Sequence, residues 1–375
     1  MSLSRRAFGT GLAAGLGAAA SGVPAHALSV AAETPATSFK RPVVISSANG
    51  FTFGATRVAF EQLLAGADTL DAVVAGVAMN ENDPKDDSVG YGGLPNEEGV
   101  VQLDACVMHG PTMQCGAVGA LENCKNAAQV AKTIMEHTDH IYLVGQGATR
   151  FAKDFGFPQV EMLTEHARKI WLLWRETRST KDAWGPGLDS PAYRQALRQK
   201  AVQLGIPEEH WELAIRRVLH PPTGTINCLA VNAKGEISGT TTTSGLAWKV
   251  PGRMGDSPVI GAGCYVDGEV GGGGSTGRGE ENIRVAGGHT VVEMMRQGKS
   301  PTDACLEALH RVQHNFRSDP DRLKQFDLAY YALRVDGAFG AATLWNNDGD
   351  QGHRRQFAVH DGVNRLVDAA YLLSR

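Results

Sequence analysis

The stretch PPTGTINCLAVNAKGEISGTTTTSG, residues 221–245, decides how this chain is interpreted. INCLAV predicts a strand, NAKG a turn, and EISGTTTTS a partner strand, so the stretch predicts a β-hairpin. Thr225 is the first residue of this hairpin and follows a proline pair, Thr223 and Gly224. Threonine is an ordinary strand residue, and the simplest interpretation of residues 240–243 is a solvent-facing β surface. The sequence downstream gives Thr225 a second interpretation.

Two glycine-rich segments after the hairpin carry groups that suit an amino acid ligand. GRMGDSP, residues 252–258, places Arg253 three residues before Asp256. A cation and an anion at this spacing suit the carboxylate and the ammonium of an amino acid. GSTGRGE, residues 274–280, has glycines that let backbone N–H groups face a ligand, as an oxyanion hole requires. It matches a dinucleotide loop only superficially, because the strand, helix and distal acidic residue are not arranged around it.

The amino-acid composition limits the kinds of molecule that this protein is expected to bind. The 375 residues are 42% hydrophobic and 20% charged, enough for a substantial core in one large domain or two ordinary ones. The net charge of -4 mixes both signs without long runs, which gives no electrostatic reason to expect nucleic acid or an anionic membrane as partner. We therefore expect a small-molecule ligand.

Residues 1–27 are typical of a targeting segment. SRRAF precedes a weakly apolar Gly/Ala stretch of roughly 13 residues and the small-residue sequence AHA. A membrane helix needs roughly 20 apolar residues, so the pattern indicates a twin-arginine signal peptide. We expect export to the periplasm or the medium, and a mature chain that begins near Leu28.

The expected export gives the cysteines two interpretations. No CxxC pair occurs, so the sequence does not support zinc or thioredoxin-like chemistry. In an oxidising compartment six thiols allow about 15 pairings, which the sequence does not rank, and buried free thiols are the alternative. The six cysteines are Cys106, Cys115, Cys124, Cys228, Cys264 and Cys305.

The rest of the chain mixes strand and helix patterns. Because the strands come first and pair locally, they favour a mixed or antiparallel sheet over a doubly wound one. Residues 164–222, rich in tryptophan and interrupted by GPG and PP, predict a helix, an exposed excursion, a helix and a sharp stop. The other predicted elements are strands at 42–47 and 141–144, a hairpin of 100–108 with 114–121, and helices at 57–65, 68–77, 127–137 and 149–155.

Five segments in order resemble the glycosylasparaginase (aspartylglucosaminidase) family of N-terminal nucleophile hydrolases, which also includes plant-type asparaginases and isoaspartyl peptidases. They are DPKDDSVGYGGLPNEEGVVQLDACVM, HTDHIYLVGQGATRFAKDFGF, GTINCLAVNAKGEISGTTTTSG, GRMGDSPVIGAGCYVDG and GSTGRGE. The resemblance implies an α+β fold, a four-layer αββα sandwich. It also implies two chains after cleavage, an alpha subunit of residues 28–224 with an exposed linker at about 176–224, and a beta subunit of residues 225–375. We expect a homodimer of these cleaved units.

Members of this family cut themselves before a threonine, and the resemblance places that bond at Gly224-Thr225. The freed α-amino group of Thr225 titrates close to physiological pH, so it supplies the base that a hydroxyl nucleophile needs. No metal or cofactor is implied. The resemblance assigns Thr243 to hydrogen bonding at the nucleophile, Arg253 and Asp256 to the substrate α-carboxylate and α-amino group, Thr276 and Gly277 to the oxyanion site, and Ser88 to the substrate-binding loop of the first subunit.

Two positions depart from the family pattern. Glycosylasparaginases usually carry aspartate where this chain has Gly224, and plant-type asparaginases carry glycine there. Ala48 stands where the family commonly has a tryptophan that walls the substrate pocket. The expected reaction is hydrolysis of the N-acetylglucosamine–asparagine bond, with isoaspartyl peptidase or L-asparaginase activity as one alternative and a catalytically silent periplasmic amino acid binding protein as another. His137 and His140 are interpreted as structural.

Overall fold

Strand pairing divides the chain between two sheets. The computed structural model describes residues 41–177, 191–219, 224–347 and 352–375. The strands are β1 Val43–Ser47, β2 Leu103–His109, β3 Gln114–Leu121, β4 Tyr142–Val144, β5 Ile226–Val231, β6 Ile237–Thr243, β7 Cys264–Asp267, β8 Gly271–Gly277, β9 Leu328–Arg334, β10 Phe339–Trp345, β11 Gln356–His360, β12 Asn364–Asp368 and β13 Ala370–Leu373.

Helices lie between these strands. They are α1 Asn49–Thr52, α2 Ala55–Leu64, α3 Thr69–Asn82, α4 Ala127–His137, α5 Gly145–Asp154, α6 Glu165–Thr177, α7 Pro191–Gln203, α8 Trp211–Leu219, α9 Gly279–Val285, α10 Gly287–Arg296, α11 Pro301–Asn315 and α12 Pro320–Leu323, with a 3₁₀ turn at Glu208–His210. None of the described helices is long and apolar enough to cross a bilayer.

The two sheets are largely antiparallel. The described strands form an eight-stranded sheet in the order β12-β11-β1-β5-β6-β2-β3-β4 and a five-stranded sheet in the order β13-β10-β9-β8-β7. Parallel pairing joins β3 to β4 and β10 to β13. The expected α+β class with mixed sheets is therefore confirmed, and the predicted strand at 141–144 is the short edge strand β4.

Three apolar clusters hold these elements together. Helices α2, α3 and α4 contact β1, β5, β6, β2 and β3 of the larger sheet, through a cluster that includes Val73 and Leu103. Strands β5 and β6 contact β7 and β8 of the smaller sheet, and Leu229 and Val266 belong to the cluster between them. Helices α10 and α11 contact β8, β9 and β10 through a third cluster that includes Leu309.

The β5–β6 hairpin is the centre of the larger sheet, and every residue of both strands is buried. A solvent-facing surface at residues 240–243 is therefore wrong, because β6 lies between β5 and β2 and contacts β7 and β8. The hydroxyls there have internal acceptors: Thr240 donates to the Cys106 carbonyl and Thr241 to the Gly263 carbonyl, both at 2.9 Å. These hydroxyls can be buried away from water because each has a hydrogen-bond partner inside the protein.

Short sequence patterns predict the positions of several other helices and strands. Asp68 caps α3 as predicted, since its carboxylate accepts from the Leu70 N–H at 2.7 Å. The predicted hairpin of 100–108 with 114–121 is the antiparallel pair β2–β3. Helix α5 begins at Gly145, four residues before the predicted start at 149. All six cysteines are free thiols, five of them buried.

The segment of residues 176–224, which precedes the β5–β6 hairpin, was expected to be an exposed linker, but its described helices are packed. Within 176–224, helices α7 and α8 carry buried apolar side chains, including Leu197 and Ile215, which pack with Trp174 of α6. Trp174 in turn stacks on Trp248 with ring centroids 5.0 Å apart. The expected exposed linker is therefore wrong for 191–219, because amphipathic helices bury one face here. Residues 178–190 and 220–223, like the signal at 1–27, lie outside the described residues.

Replacement of Leu197 tests whether this segment is part of the core. Leu197 is fully buried, so Leu197→Ala should lower the free energy of unfolding by about 2–5 kcal/mol. Val202 lies on the same helix and is 57% exposed, so Val202→Ala should change it by less than about 0.5 kcal/mol. Urea unfolding of the two variants measures the difference, and equal stabilities would show that α7 is not packed.

Candidate active site

Thr225 lies immediately before β5, where the antiparallel register brings Thr243 beside it. The Thr225 hydroxyl donates to the Thr243 hydroxyl at 3.2 Å, and the Thr243 hydroxyl donates to the Gly224 carbonyl at 2.7 Å. The Gly245 N–H donates to the Thr243 hydroxyl at 2.9 Å and helps to orient it. A continuous hydrogen-bonded path therefore runs from the Thr225 hydroxyl to the carbonyl of the preceding peptide bond.

The carbonyl of Thr225 is held by two side chains, one at the end of β1 and one at the start of α1. The Ser47 hydroxyl and the Asn49 amide both donate to it at 3.3 Å. These two donors fix the backbone on the side of Thr225 away from Gly224. Sequence reasoning missed both residues, although polar side chains directly after the buried strand β1 were a signal of position.

Two cavities flank the Gly224-Thr225 bond, and both residues line each of them. One is a cavity of about 230 Å³, and the other is a narrow cleft. The larger cavity is lined in part by Ala48, Ser88, Thr276, Tyr331 and Arg355. The narrow cleft is lined in part by Thr243, Arg253 and Asp256, and Gly277 lines both. The structure thus brings every predicted site residue to the wall of one cavity or the other.

Arg253 is paired with Glu280 rather than with Asp256. Its Nε and Nη2 donate to one Glu280 carboxylate oxygen at 2.9 and 2.7 Å. Burial raises the pKa of Glu280, but the charges of Arg253 and Arg278 outweigh it, so the net pKa lies below the ordinary value. Glu280 therefore stays ionised at neutral pH and fixes the guanidinium. Its role was missed, although it closes the GSTGRGE segment.

Asp256, which also lines the cleft, is anchored separately. The Ser275 hydroxyl donates to it at 2.5 Å and the Asn282 amide at 2.6 Å. Burial raises the pKa of the Asp256 carboxyl, and these two hydrogen bonds oppose the rise. Arg253 and Asp256 are thus two separately positioned groups on the same cleft, not one contact ion pair.

Thr276 and Gly277 end β8; both line the larger cavity, and Gly277 also lines the narrow cleft. The Thr276 hydroxyl shares a 2.8 Å hydrogen bond with the Tyr331 hydroxyl. Burial raises the pKa of Tyr331 to about 12, so this phenol is protonated at neutral pH. Gly277 has φ +118°, and a Cβ there would overlap the Asp327 carbonyl. Only glycine therefore fits at this point of the wall.

Ser88 approaches the same bond from the loop after α3. Its hydroxyl donates to Asp86 at 2.5 Å, and its carbonyl accepts from the Ser244 N–H at 3.0 Å. Burial raises the pKa of Asp86, against the lowering effect of hydrogen bonds from Ser88 and Asn80. Ser88 is thus tied to the end of β6 as well as to its own loop.

Glu81, at the end of α3, is a buried carboxyl beside β6 that sequence reasoning did not find. It accepts from the Thr242 hydroxyl at 2.7 Å and from the Ala128 N–H at 3.0 Å. Burial raises the pKa of Glu81 to about 7, although these hydrogen bonds favour the ionised form. The group joins α3, α4 and β6 directly next to Thr243, and no local pattern marks it.

His137 and His140 are exposed and line neither cavity. His137 ends α4, and its ring lies 5.1 Å from that of Phe155. The described part of the chain contains no group of three or more His, Cys, Asp or Glu side chains placed to hold a metal ion.

The comparison with known families agrees with this geometry. Residues 44–320 match the model of the asparaginase family. The chain belongs to this family. N(4)-(Beta-N-acetylglucosaminyl)-L-asparaginase from Elizabethkingia miricola is 38% identical over 334 residues, 89% of this chain and 86% of that protein. The relatives of the same name from Mus musculus and Rattus norvegicus are 33% and 35% identical, each over 77% of this chain and 80% of their own length. The resemblance to glycosylasparaginases is thereby confirmed.

Glu81→Gln should change how stability depends on pH. In the unfolded chain this carboxyl loses its proton near 4.5, whereas the folded protein keeps it until about 7. The wild type therefore loses stability as pH rises from about 4.5 to about 7, by up to about 3 kcal/mol from this group. The variant lacks this titration, so its free energy of unfolding should not fall in this pH window. The difference in unfolding free energy, variant minus wild type, should therefore increase from about pH 4.5 to about pH 7 and stay constant above it.

Urea unfolding at several pH values measures this difference. Glu61→Gln, which removes an exposed ion pair with Arg57, is the control and should shift stability by less than about 0.5 kcal/mol. Parallel stability curves for Glu81→Gln and the wild type would contradict the assignment.

Proposed function

We propose that this protein is a self-cleaving amidohydrolase that hydrolyses the β-amide bond between N-acetylglucosamine and asparagine and releases aspartate. The observation that carries the proposal is the path from the Thr225 hydroxyl through Thr243 to the Gly224 carbonyl. The names of the relatives support the substrate. The path also speaks against a silent amino acid binding protein, which needs no hydroxyl directed at a backbone carbonyl.

Self-cleavage is the first reaction. The Thr225 oxygen attacks the Gly224 carbonyl carbon, while Thr243 donates a hydrogen bond to the carbonyl oxygen as negative charge develops there. The C–N bond then breaks, the nitrogen takes the proton that the Thr225 hydroxyl has lost, and Gly224 is held as an ester on the Thr225 oxygen. Water hydrolyses the ester to a Gly224 carboxylate and a Thr225 with free hydroxyl and amino groups.

Amide hydrolysis uses the amine that self-cleavage releases. The neutral α-amino group of Thr225 accepts the proton of its own hydroxyl as the oxygen attacks the substrate β-carbonyl. The Thr276 hydroxyl and the Gly277 N–H receive the oxyanion. The leaving nitrogen takes the proton from the amine, and a β-aspartyl ester remains on Thr225. Water, deprotonated by the same amine, then attacks the ester carbonyl, the bond to the Thr225 oxygen breaks, and that oxygen takes the proton back as aspartate is released.

The cleft and the larger cavity suit the two ends of the substrate. Arg253 and Asp256 face the α-carboxylate and α-amino group, so binding requires a free amino acid and intact glycoproteins are poor substrates. The cavity of about 230 Å³ beside Ala48 takes the leaving group. Because alanine leaves this wall without the usual tryptophan, and because Gly224 is the residue of plant-type asparaginases, isoaspartyl peptides and asparagine are the second candidate substrates.

The architecture and location are proposed on the same basis. The three apolar clusters and the two facing sheets support a four-layer αββα sandwich of the N-terminal nucleophile hydrolase type, formed by subunits 28–224 and 225–375. The SRRAF and AHA sequences support export by the twin-arginine route to the periplasm or the medium. We further propose that two cleaved units form a homodimer.

Thr225→Ala should abolish self-cleavage and activity together, because it removes the attacking oxygen. The wild type should separate on a denaturing gel into two fragments, and the smaller should begin with Thr-Ile-Asn-Cys. Thr225→Ser keeps the hydroxyl and is the control, which should still be cut. An amino terminus at any other residue would refute the cleavage site.

Hydrolysis rates on N-acetylglucosaminyl-asparagine, a β-aspartyl dipeptide and asparagine test the substrate. We expect the highest kcat/KM for the first. In each case Arg253→Leu should raise KM about tenfold to a hundredfold, since it removes a charge-assisted contact of about 1.5–3 kcal/mol. Arg278→Leu, which removes the other cation beside Glu280, is the matched control with a smaller effect. A preference for the dipeptide or asparagine would reassign the substrate, and an unchanged KM in Arg253→Leu would exclude the carboxylate role.

A further inference from the structure

An ion pair lies in the wall of the larger cavity, the one that takes the leaving group in the proposed function. Arg355 and Asp327 are the charged residues among the described residues that line this cavity. Nη2 of Arg355 donates to the Asp327 carboxylate. The Arg355 side chain is 39% exposed and that of Asp327 is 14% exposed. A ligand in the cavity therefore reaches the guanidinium more readily than the carboxylate.

The pair joins the two sheets beside the proposed oxyanion site. Asp327 directly precedes β9, where Leu328 pairs with Gly277 of β8. The Asp327 carbonyl accepts from the Arg278 N–H at 2.9 Å, and its carboxylate accepts from the Leu328 N–H at 2.8 Å. Arg355 directly precedes β11, a strand of the other sheet. The position of the guanidinium is thus set from both sheets.

Other polar side chains of this wall already bond within the protein. The Tyr331 hydroxyl bonds that of Thr276 at 2.8 Å, the Thr343 hydroxyl donates to a backbone carbonyl at 2.7 Å, and the Gln356 amide donates to an aspartate at 2.9 Å. Arg355 differs, because its Nε–H is buried and has no hydrogen-bond partner among the described residues. A buried donor without a partner is costly, and an acceptor on a ligand beside it would remove that cost.

The two charges together favour a neutral ligand. Arg355 alone would attract an anionic leaving group, such as the amino acid that a β-aspartyl peptide releases. The Asp327 carboxylate cancels this charge and repels a second carboxylate. Burial raises the pKa of Asp327, and the charge of Arg355 opposes the rise. A neutral group with several hydroxyls and an acetamide offers acceptors to the guanidinium and donors to the carboxylate.

We propose that Arg355 is a specificity-determining residue that binds a neutral, hydroxyl-bearing leaving group, and that Asp327 positions it and excludes leaving groups with a carboxylate. The proposal rests on the amidohydrolase activity proposed above and names the residues that recognise the sugar end of its substrate. Neither residue takes part in breaking the amide bond. Their effect therefore appears as a difference in kcat/KM between substrates that share the aspartyl part and differ in the leaving group.

Replacement of Arg355 tests the binding of the sugar. Arg355→Gln should lower the ratio of kcat/KM for N-acetylglucosaminyl-asparagine to kcat/KM for asparagine about tenfold, because it removes charged hydrogen bonds that only the sugar receives. Asparagine releases ammonia, which has no substituent to fill the cavity. Both rates are measured on one preparation, so their ratio does not depend on the fraction of enzyme that is folded and cleaved. A merely structural role would lower both rates and leave the ratio at the wild-type value.

The neighbouring arginine provides the matched control. Arg354 pairs with Asp368 at 3.0 Å, is 76% exposed, and is not among the described residues that line the larger cavity. Arg354→Gln removes the same charge one residue away. It should keep the wild-type ratio.

Two substrates that differ in the charge of the leaving group test Asp327. β-Aspartyl-alanine releases a group with a carboxylate, and β-aspartyl-alaninamide releases the same group as a neutral amide. Asp327→Asn keeps the size of the side chain and removes its charge, so it should raise the kcat/KM ratio of acid to amide about tenfold. Asp361→Asn, which removes a carboxylate that pairs with Arg365 outside this cavity, should keep the wild-type ratio. Because the shape is retained, Asp327→Asn also tests the pair if Arg355→Gln fails to fold.

The outcomes separate this role from the function on which it rests. A wild type that hydrolyses none of these amides would overturn the proposed function and the role of Arg355 with it. Hydrolysis of N-acetylglucosaminyl-asparagine, with the wild-type ratio to asparagine retained in Arg355→Gln, would overturn sugar binding by Arg355 alone. An unchanged acid-to-amide ratio in Asp327→Asn, or a wild type that prefers the acid, would overturn the exclusion of carboxylates.

Discussion

The Thr243 hydroxyl is the contact on which the site depends, because it accepts from Thr225 and donates to the Gly224 carbonyl. A hydroxyl can do both at once, which a lysine or a carboxylate cannot. Under the proposed mechanism this one side chain therefore aligns the nucleophile and polarises its target. The Gly245 N–H, which also bonds this oxygen, helps to keep it in place.

The position of Thr243 is set by strand register. Strand β6 pairs with β5 on one side and β2 on the other, and Asp104 is opposite Thr243 on β2. A shift by one residue would turn Thr243 to the other face of the sheet. The buried Lys249 opposes such a shift, since its ammonium donates to the Gln102 and Ser244 carbonyls at 2.9 and 3.2 Å. Burial lowers the pKa of Lys249, against the attraction of the nearby Asp104.

Sequence reasoning succeeded where chemistry is local and failed where it depends on packing. The hairpin, the Asp68 cap and the residues lining the two cavities follow from short patterns and from the family resemblance. Glu280 as the partner of Arg253, and Glu81 behind β6, join residues 27 and 161 positions apart, and no periodicity reveals such contacts. The packed helices at 191–219 were mistaken for a linker because their charges and nearby breakers outweighed a narrow apolar stripe.

Under the proposed mechanism, the uncut Gly224-Thr225 bond itself closes the site. Gly224 and Thr225 line both the narrow cleft and the larger cavity, so the intact peptide stands where the two meet. Under the proposed mechanism the substrate amide must occupy that same place, with its amino acid end toward Arg253 and its leaving group toward Ala48. In that mechanism, cleavage frees the amine that activates Thr225 and releases Gly224 from the space between the cavities. The proposed cleavage of one bond would thus supply the base and open the site together.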